Sequence, residues 1–117
     1  LKSVFDSIND ALFVHDGETY EILDVNNSML EMFGYSRDEF LKLSLNEFFH
    51  NRQPYTANEA KEWMQKAGDE GPQVFEWIAK KKDGTLFWTD VRIRYAIIAG
   101  KPRYLVLLQD ITERKEA

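Results

Sequence analysis

The chain has 117 residues, of which 44% are hydrophobic and 14% aromatic, a size and apolar content that suit one domain with one core. It contains no cysteine, which excludes disulfides, thiolate zinc, iron–sulfur ligation and cysteine catalysis, and favours a cytoplasmic setting. The formal net charge of -5 opposes nucleic-acid binding. Neither a signal peptide nor an apolar run of membrane-spanning length is visible, so we expect no direct membrane contact.

The chain begins with a predicted helix and a predicted β-hairpin. The helix, over residues 1–10, is short and amphipathic, and its apolar residues have i, i+1, i+4 spacing: Val4, Phe5 and Ile8. Two strand-like runs follow, "ALFVHD" (Ala11 to Asp16) and "YEILDV" (Tyr20 to Val25). The "GET" between them has the length of a hairpin turn.

The middle of the chain predicts four helices with abrupt ends. Asn26 and Asn27 can cap the first helix, and Gly34 suits its left-handed end. Each later helix starts with a hydroxyl residue followed three positions on by Glu, the capping-box pattern: Ser36 with Glu39, Ser44 with Glu47, and Thr56 with Glu59. Only the fourth is long, from Thr56 to Ala67, with these residues inward: Ala60, Trp63, Met64 and Ala67. Helices this short are marginal alone and must pack on a partner surface.

That partner surface is predicted to be an antiparallel sheet. Three more strand candidates follow the helices: "VFEWIAKK" (Val74 to Lys81), "LFWTDVRIRYAII" (Leu86 to Ile98) and "RYLVLLQDI" (Arg103 to Ile111). The turns between them are Asp83-Gly84 and Gly100-Lys101-Pro102, both rich in turn-forming residues. The basic run Lys80 to Lys82 is interpreted as a solvent-facing turn rather than a phosphate site.

Three segments together resemble one known family: "DVNNSMLEMFGYSRDEFL", "KKDGTLFW" and the terminal "QDITERK" are similar to the PAS domain family, with the PAC-type ending of bacterial sensor proteins. The resemblance covers essentially the whole chain. It implies an α+β fold, a five-stranded antiparallel sheet with a layer of short helices and one longer helix over one face, enclosing a small pocket. We expect this domain over residues 11–112, preceded by the cap helix at 1–10 and followed at 113–117 by the start of a signalling helix or linker.

The resemblance also assigns one face of the sheet to the pocket. Side chains alternate across a strand, so each strand can be sorted into two faces. The expected pocket lining, including two residues from the helical side, is Phe48, Trp63, Phe75, Trp77, Thr89, Val91, Tyr104, Val106 and Leu108. Among these, Thr89 and Tyr104 are the hydrogen-bonding groups available to a ligand.

No cofactor is predicted in this pocket. Flavin-binding light sensors of the family attach the ring to a Cys, which this chain lacks, and hold its polar edge with Asn and Gln on the sheet. The matching positions here are Ala79, Thr89 and Leu108. Non-covalent flavin, stacked on Trp77 or Trp63, stays open as an alternative.

Haem and metal are not predicted either. Haem-binding members usually take an axial His from the long helix, where this chain has none. His15 and His50 lie elsewhere, far apart in sequence, and form no metal-ligand pattern. Ser36 and Ser44 begin helices and lie in no GxSxG setting, and no phosphate-binding loop is present, so we predict no catalytic residue.

Two interpretations of a sensory, regulatory domain remain. In one, the pocket is a receptor for a small, largely apolar metabolite, and its occupancy is the primary signal. In the other, Trp77, Phe75 and the aromatic residues of the helices fill the pocket, and the domain acts in dimerisation and relay. The bulky inward aromatic residues favour the second interpretation.

The resemblance implies that the signal leaves through the C-terminus. In the family an Asp-Ile-Thr segment joins the sheet to a helix that enters the next domain, and here that segment is Asp110, Ile111 and Thr112. Asp110 and Thr112 can also cap such a helix. The expected effector, in the same protein, is a histidine kinase of a two-component system or a diguanylate cyclase.

The face opposite the pocket carries an unexpected apolar group: Ile78, Trp88, Leu105 and Leu107. A lone antiparallel sheet normally exposes such a face to water, and a large exposed apolar patch usually marks an interface. We therefore predict a parallel homodimer, in which this face and the N-terminal residues Val4, Phe5 and Ile8 form the contact. The alternative is a monomer whose N-terminal helix folds back on its own sheet.

Overall fold

The computed structural model describes residues 10–117, so the predicted N-terminal helix, with Val4, Phe5 and Ile8, lies outside the described residues. Five strands and several helices follow one another. In chain order they are β1 (Ala11–Asp16), β2 (Ile22–Val25), α1 (Asn27–Phe33), α2 (Arg37–Leu41), a 3₁₀ helix (Leu45–Phe48), α3 (Ala57–Glu70), β3 (Gln73–Lys80), β4 (Leu86–Ile98), β5 (Lys101–Asp110) and α4 (Thr112–Glu116).

The strands form one antiparallel sheet in the order β2-β1-β5-β4-β3. The first hairpin therefore pairs with the last strand, which brings the two ends of the domain together at the centre of the sheet. Along β4 the burial alternates, with Val91 and Ile93 buried and Arg92 and Arg94 exposed, as the pleat requires. The predicted α+β fold, with helices over one sheet face, is confirmed.

Capping residues set the ends of α1 and α2 as predicted, whereas the capping box predicted for Thr56 and Glu59 does not form, because the Thr56 hydroxyl donates to the Glu59 carboxylate instead of accepting from the backbone. The Asn26 side chain accepts a hydrogen bond from the Met29 backbone N–H, and Gly34 ends α1 in the left-handed conformation at φ 84°. Ser36 and Glu39 form a complete capping box at the start of α2. A side-chain hydrogen bond from Lys82, together with the cap, lowers the pKa of Glu39 to about 2 and ties this helix to the β3–β4 turn.

The elements differ from the sequence prediction at several places. β3 covers Gln73–Lys80 instead of Val74 to Lys81, and β5 covers Lys101–Asp110 instead of Arg103 to Ile111, so β5 begins inside the predicted Gly100-Lys101-Pro102 turn. The strand expected from Tyr20 begins at Ile22, because the Asp16 carboxylate accepts backbone hydrogen bonds that prolong the turn and Tyr20 has φ 67°. The third helix is 3₁₀ rather than α. The long helix continues beyond Ala67 to Glu70, and Gly71, at φ 102°, ends it.

The core lies between the inner face of the sheet and the helices. Its centre is a set of phenylalanine rings whose centroids lie 5.3–6.3 Å apart, mostly edge to face: Phe13, Phe33, Phe40 and Phe48. Ala60, Met64 and Ala67 of α3 are buried against the sheet as predicted. Trp63, also expected inward, is instead half-buried and stacks on Phe75 with the two rings 4.1 Å apart.

Candidate functional site

A small internal cavity lies between the inner sheet face and the helices, beside the phenylalanine cluster. Its volume is about 40 Å³, and its walls come from β1, β3, β4, β5, α1, the 3₁₀ helix and α3. Most of the lining is aliphatic or aromatic. The polar side chains that reach it are His15 on β1 and the indole of Trp77 on β3.

The structure places most of the predicted pocket residues at this cavity. Six of them line it: Phe48, Phe75, Trp77, Val91, Val106 and Leu108. Residues that the sequence interpretation did not include complete the wall, among them Phe13, Phe33, Leu45, Phe49 and Met64. The strand residues were found because alternation sorts them correctly, whereas the helical side depends on how the short helices pack.

Three predicted pocket residues lie outside the cavity lining. Thr89 is fully buried, but its hydroxyl donates to the backbone carbonyl of Trp77 at 3.0 Å. Tyr104 stacks on Tyr20 with ring centroids 5.9 Å apart, and Trp63 covers Phe75 at the flank of α3. The two hydrogen-bonding groups expected for a ligand, Thr89 and Tyr104, are thus not part of the cavity wall.

His15 is the polar cavity residue that the sequence interpretation missed. It lies two positions after Phe13 on β1, so strand alternation places both on the inner face and could have found it. Its Nδ1 lies 2.9 Å from the backbone carbonyl oxygen of Tyr20. Burial lowers the pKa of His15 to about 4, with the hydrogen bond to Tyr20 acting in the opposite direction. The ring is therefore neutral near pH 7.

The cavity does not fit flavin or haem. Its volume of about 40 Å³ is far below the roughly 300 Å³ at which sites for drug-sized ligands begin. At the sheet positions expected to face a flavin, Ala79 and Leu108 offer no polar side chain, and the Thr89 hydroxyl is engaged. The described residues, 10–117, also contain no group of three or more acidic or histidine side chains that could hold a metal ion.

The C-terminal segment is fastened to Trp88 at the start of β4. The Ile111 backbone N–H donates to the Trp88 carbonyl at 3.0 Å, and the Trp88 N–H donates to the Thr112 hydroxyl at 3.0 Å. Asp110 accepts from the Thr112 N–H at 2.9 Å, and Ile111 is buried. On α4, the Lys115 ammonium lies 4.6 Å from the centre of the Trp88 ring. These contacts hold the first turn of α4 against the start of β4.

Tyr55 connects the cavity wall with this exit. It lies in the loop before α3, and its ring is 5.6 Å from that of Trp77 and 5.9 Å from that of Trp88. The same loop crosses the edge strand β3, where Phe49 forms an isolated bridge with Ala79. We call Trp77, Tyr55 and Trp88 the aromatic chain. It gives a continuous path of packed rings from the inner to the outer side of the sheet.

The outer sheet face keeps the apolar group that the sequence predicted. Ile78, Trp88, Leu105 and Leu107 are each half-buried. Leu105 and Leu107 pair with Arg94 and Arg92 of β4 and with Val14 and Leu12 of β1. This face is therefore a band of aliphatic side chains bordered by exposed arginines. Within residues 10–117, no helix has the length and apolar character to cross a membrane.

Comparisons with known proteins point to one family. The family model described as "PAS domain" matches residues 9–113. A curated relative, the methyl sulfide methyltransferase-associated sensor of Methanosarcina acetivorans, is 34% identical over 116 residues, which cover 99% of this chain. The chain corresponds to 11% of the length of that sensor.

Solved structures share the fold. The PAS domain of a protein from Colwellia psychrerythraea superposes with a TM-score of 0.81 at 22% identity, over 96% of this chain and 94% of that chain. The PAS domain of an HTR-like protein from Haloarcula marismortui gives a TM-score of 0.79 at 23% identity, over 94% of this chain and 93% of that chain. At these identities the likeness establishes the architecture.

Proposed function

The chain belongs to the PAS domain family, and from that premise we propose that it is the sensory and regulatory domain of a signal-transduction protein. It relays a change in the domain through Asp110, Ile111 and Thr112 to an effector domain in the same protein, such as a histidine kinase or a diguanylate cyclase. The domain itself is not catalytic. A cytoplasmic setting is part of the proposal and rests on the absence of cysteine.

The observation that carries the proposal is the attachment of the exit segment to Trp88. Both backbone groups of Trp88 bind the exit segment, one to Ile111 and one to Thr112. A shift of β4 therefore moves the start of α4 directly. The aromatic chain brings the cavity wall into contact with the same residue, since Tyr55 touches both Trp77 and Trp88. A relay through packed contacts requires a structural element that can adopt two arrangements. The experiment must therefore detect a second arrangement of the contact between Trp88 and the exit segment.

The test replaces Thr112 by Val, which keeps the branched shape and removes the oxygen that accepts from the Trp88 N–H. Thr19→Val is the matched control, because its hydroxyl accepts one backbone hydrogen bond at the far end of the molecule, at 3.3 Å. We expect faster amide hydrogen exchange at Trp88 and Lys115 in Thr112→Val alone.

The functional readout is a chimera in which this chain replaces the PAS domain of a sensor histidine kinase, with the C-terminal helix joined in register. We expect Thr112→Val to change autophosphorylation and Thr19→Val to leave it at the wild-type level. Equal kinase output from all three chimeras, with the altered hydrogen exchange present, would contradict the relay.

The proposal includes a parallel homodimer through the outer sheet face. The half-buried band of Leu105, Leu107, Ile78 and Trp88 supports it, and Val4, Phe5 and Ile8 would extend the contact. Sedimentation of the wild type against a Leu105→Glu, Leu107→Glu double variant is the test. Leu41→Glu is the control, because Leu41 is an exposed leucine on the helical side. A wild type that stays monomeric at high micromolar concentration contradicts the dimer.

A second candidate function is a receptor whose cavity is the primary sensor. It is favoured by the buried indole nitrogen of Trp77, a residue of the cavity wall, because this nitrogen has no hydrogen-bond partner among residues 10–117. Such a group is uncommon in a folded protein, and a ligand with an acceptor could satisfy it.

A further inference from the structure

β4 is longer than the strand beside it. β3 pairs with β4 only as far as Ile93, whereas β5 pairs with β4 as far as Ile98. Residues 94–98 therefore have a strand on one side and, among residues 10–117, no strand on the other. The turn that follows is a tight two-residue turn, because Ala99 and Gly100 both have positive φ, at 52° and 77°. This end of β4 is thus a regular strand with one open side.

The backbone groups on the open side belong to Tyr95 and Ile97. In an antiparallel sheet the N–H and C=O of one residue face the same neighbour, and successive residues face opposite neighbours. Trp88 faces β5, because its carbonyl accepts from the N–H of Ile111 directly after β5. Every second residue from Trp88 also faces β5, so Tyr95 and Ile97 face away from it. Their two N–H and two C=O groups are unpaired in the part of the chain that the structure describes, and we call them the free edge of β4.

The two outer strands of the sheet are better protected. On β3, the Ile78 carbonyl accepts from the His50 N–H at 3.3 Å, and on β2 the Val25 carbonyl accepts from the Arg37 guanidinium. Proteins protect strand edges with proline, bulges, charges or covering loops, because an open edge pairs with other chains. Residues 94–98 contain no proline, pair with β5 without a bulge, and are covered by no described group on their open side.

The side chains beside the free edge are apolar and exposed. Tyr95, Ile97 and Ile98 are 39%, 62% and 46% exposed. Tyr95 lies on the inner face, where its ring is 5.3 Å from that of Tyr104. Alternation places Ile97 on the same face and Ile98 on the outer face. Exposed aromatic and β-branched side chains on an open strand favour pairing with a further strand.

The charge near the free edge indicates which partner fits. Residues 91–104 contain four basic residues and no acidic one, although the whole chain has a net charge of -5. Two of the four form ion pairs within the sheet, at 3.2 and 3.5 Å. The other two, Arg94 and Lys101, have no ion pair among residues 10–117. Both lie on the outer face, and Arg94 stands at the open side itself.

A second copy of this chain fits the edge less well than an acidic strand. In an antiparallel pair that uses all four groups, Tyr95 of one copy faces Ile97 of the other. The turn at residues 99–100 of the copy then overlaps the place that Gln73 occupies at the start of β3. The copy also brings the same basic residues, and like charges weaken strand pairing.

We propose that the free edge of β4 binds an extended acidic segment of another polypeptide, which adds a strand to the sheet. Its backbone pairs with Tyr95 and Ile97. The residues opposite these two lie on the inner face and are apolar, whereas the alternate residues lie on the outer face, beside Arg94, and are acidic. This site goes beyond the proposed relay and does not depend on it.

The experiment titrates the isotope-labelled chain with acetyl-Glu-Val-Glu-Val-Glu-amide at neutral pH and follows amide hydrogen exchange by NMR. Exchange at Tyr95 and Ile97 should become about 10-fold slower at a peptide concentration about ten times the dissociation constant. Arg94 and Ala96 are internal controls, because their N–H groups already face β5 and should keep their exchange rates. The dissociation constant should be roughly millimolar, because a short strand adds few contacts to its backbone hydrogen bonds.

A peptide of opposite charge isolates the electrostatic contribution. Acetyl-Lys-Val-Lys-Val-Lys-amide has the same alternation and the same backbone groups, and it should bind at least about 5-fold more weakly. The difference between the two peptides should shrink at about 1 M salt, where exposed charges are screened within roughly 3 Å. This comparison needs no variant of the chain.

Two matched pairs of variants test the residues. Ile97→Pro removes an N–H that the sheet does not use, which an edge strand tolerates, and should weaken binding of the glutamate peptide about 5- to 10-fold. Val74→Pro is its control, because Val74 is 59% exposed and its N–H faces outward from β3. Arg94→Gln should lower the preference for the glutamate peptide about 3-fold, and Arg92→Gln, beside β3, should leave it unchanged. The peptide comparison still decides if Ile97→Pro fails to fold.

The outcomes distinguish the occupants of the edge. Unchanged exchange at Tyr95 and Ile97 overturns the site, and equal binding of the two peptides overturns the acidic partner. Exchange that slows without peptide as the chain is concentrated shows that a second copy pairs there, and slow exchange in the dilute chain shows that the chain covers its own edge. Either result overturns the proposal. Slower exchange at both residues with a preference for the glutamate peptide supports it, and the Thr112→Val test of the relay is independent of each result.

Discussion

Two regions of the molecule bury polar side chains: the junction of β1, β2 and α1, and the internal cavity. They differ in how fully those side chains are hydrogen-bonded. At the junction, Asn26 is fully buried and, within residues 10–117, its side chain binds three backbone groups: its Oδ1 accepts from the Leu12 and Met29 N–H groups, and its Nδ2 donates to the Asp10 carbonyl. In the cavity wall, the indole nitrogen of Trp77 has no hydrogen-bond partner in the part of the chain that the structure describes.

The difference shows what each region does. A buried side chain that binds three backbone groups fixes the relative positions of the elements that carry them, and any displacement leaves donors unpaired. A buried donor without a partner fixes no neighbouring element. A hydrogen bond to an acceptor would lower the free energy of the folded state. We therefore interpret the junction as the structural anchor of the fold and the cavity as the less constrained region.

Replacing Trp77 by Ala should have the largest effect on stability. The ring is 4% exposed, and its removal enlarges the cavity, so we expect a loss of about 3 to 5 kcal/mol in the free energy of unfolding. Chemical denaturation measures it. Trp63→Ala is the control, since Trp63 is only half-buried, and it should cost clearly less. A loss below about 1 kcal/mol at Trp77 would show that packing at the cavity contributes little.

Replacing Asn26 by Ala should cost about 3 kcal/mol. The loss combines a helix cap, worth about 1 kcal/mol, with the desolvation of a buried Leu12 N–H that has lost its acceptor, about 1 to 3 kcal/mol. Ser36→Ala is the matched control, because Ser36 caps α2 at an exposed position and holds no second element. Equal losses in the two variants would refute the anchoring role of Asn26.

Acid should weaken the fold through His15. Its pKa is about 4 in the folded chain and about 6.5 when exposed, so the unfolded state binds the proton first as the pH falls. The contribution of His15 to the free energy of unfolding is therefore greatest above about pH 6.5. It decreases by about 2 to 3 kcal/mol as the pH falls to 4. Denaturation curves at several pH values test this, and in His15→Phe the decrease over that window should be absent. Carboxylates with lowered pKa, such as Glu39, act at lower pH.

The sequence predicted the fold well where local signals coincide with the tertiary structure. Gly34, Ser36 and Glu39 mark helix ends by their own chemistry, and alternation assigned Val91 and Val106 to the inner face. The prolonged first turn was not predictable, because it depends on the Asp16 carboxylate binding two backbone groups.

The site was predicted less completely than the fold. Thr89 faces inward as expected, yet its hydroxyl is used by a strand carbonyl, which no sequence pattern reveals. Trp63 was assigned inward from helical spacing, but a large ring at the edge of the helix stripe packs beside the sheet instead of under it. Partners across the fold, rather than periodicity, decide which polar groups remain free.

Replacing Thr89 by Val should have the smallest effect, about 1 kcal/mol or less. Val has nearly the same shape, so no cavity forms, and the variant loses a single hydrogen bond to the Trp77 carbonyl. That carbonyl has two lone pairs, and an incompletely satisfied acceptor costs less than an unpaired N–H. Chemical denaturation of Thr89→Val and Asn26→Ala compares the two losses in the free energy of unfolding. Thr89 makes one replaceable hydrogen bond, whereas Asn26 joins three segments of the chain. A Thr89→Val loss as large as that of Asn26→Ala would remove the distinction between the anchor and the cavity.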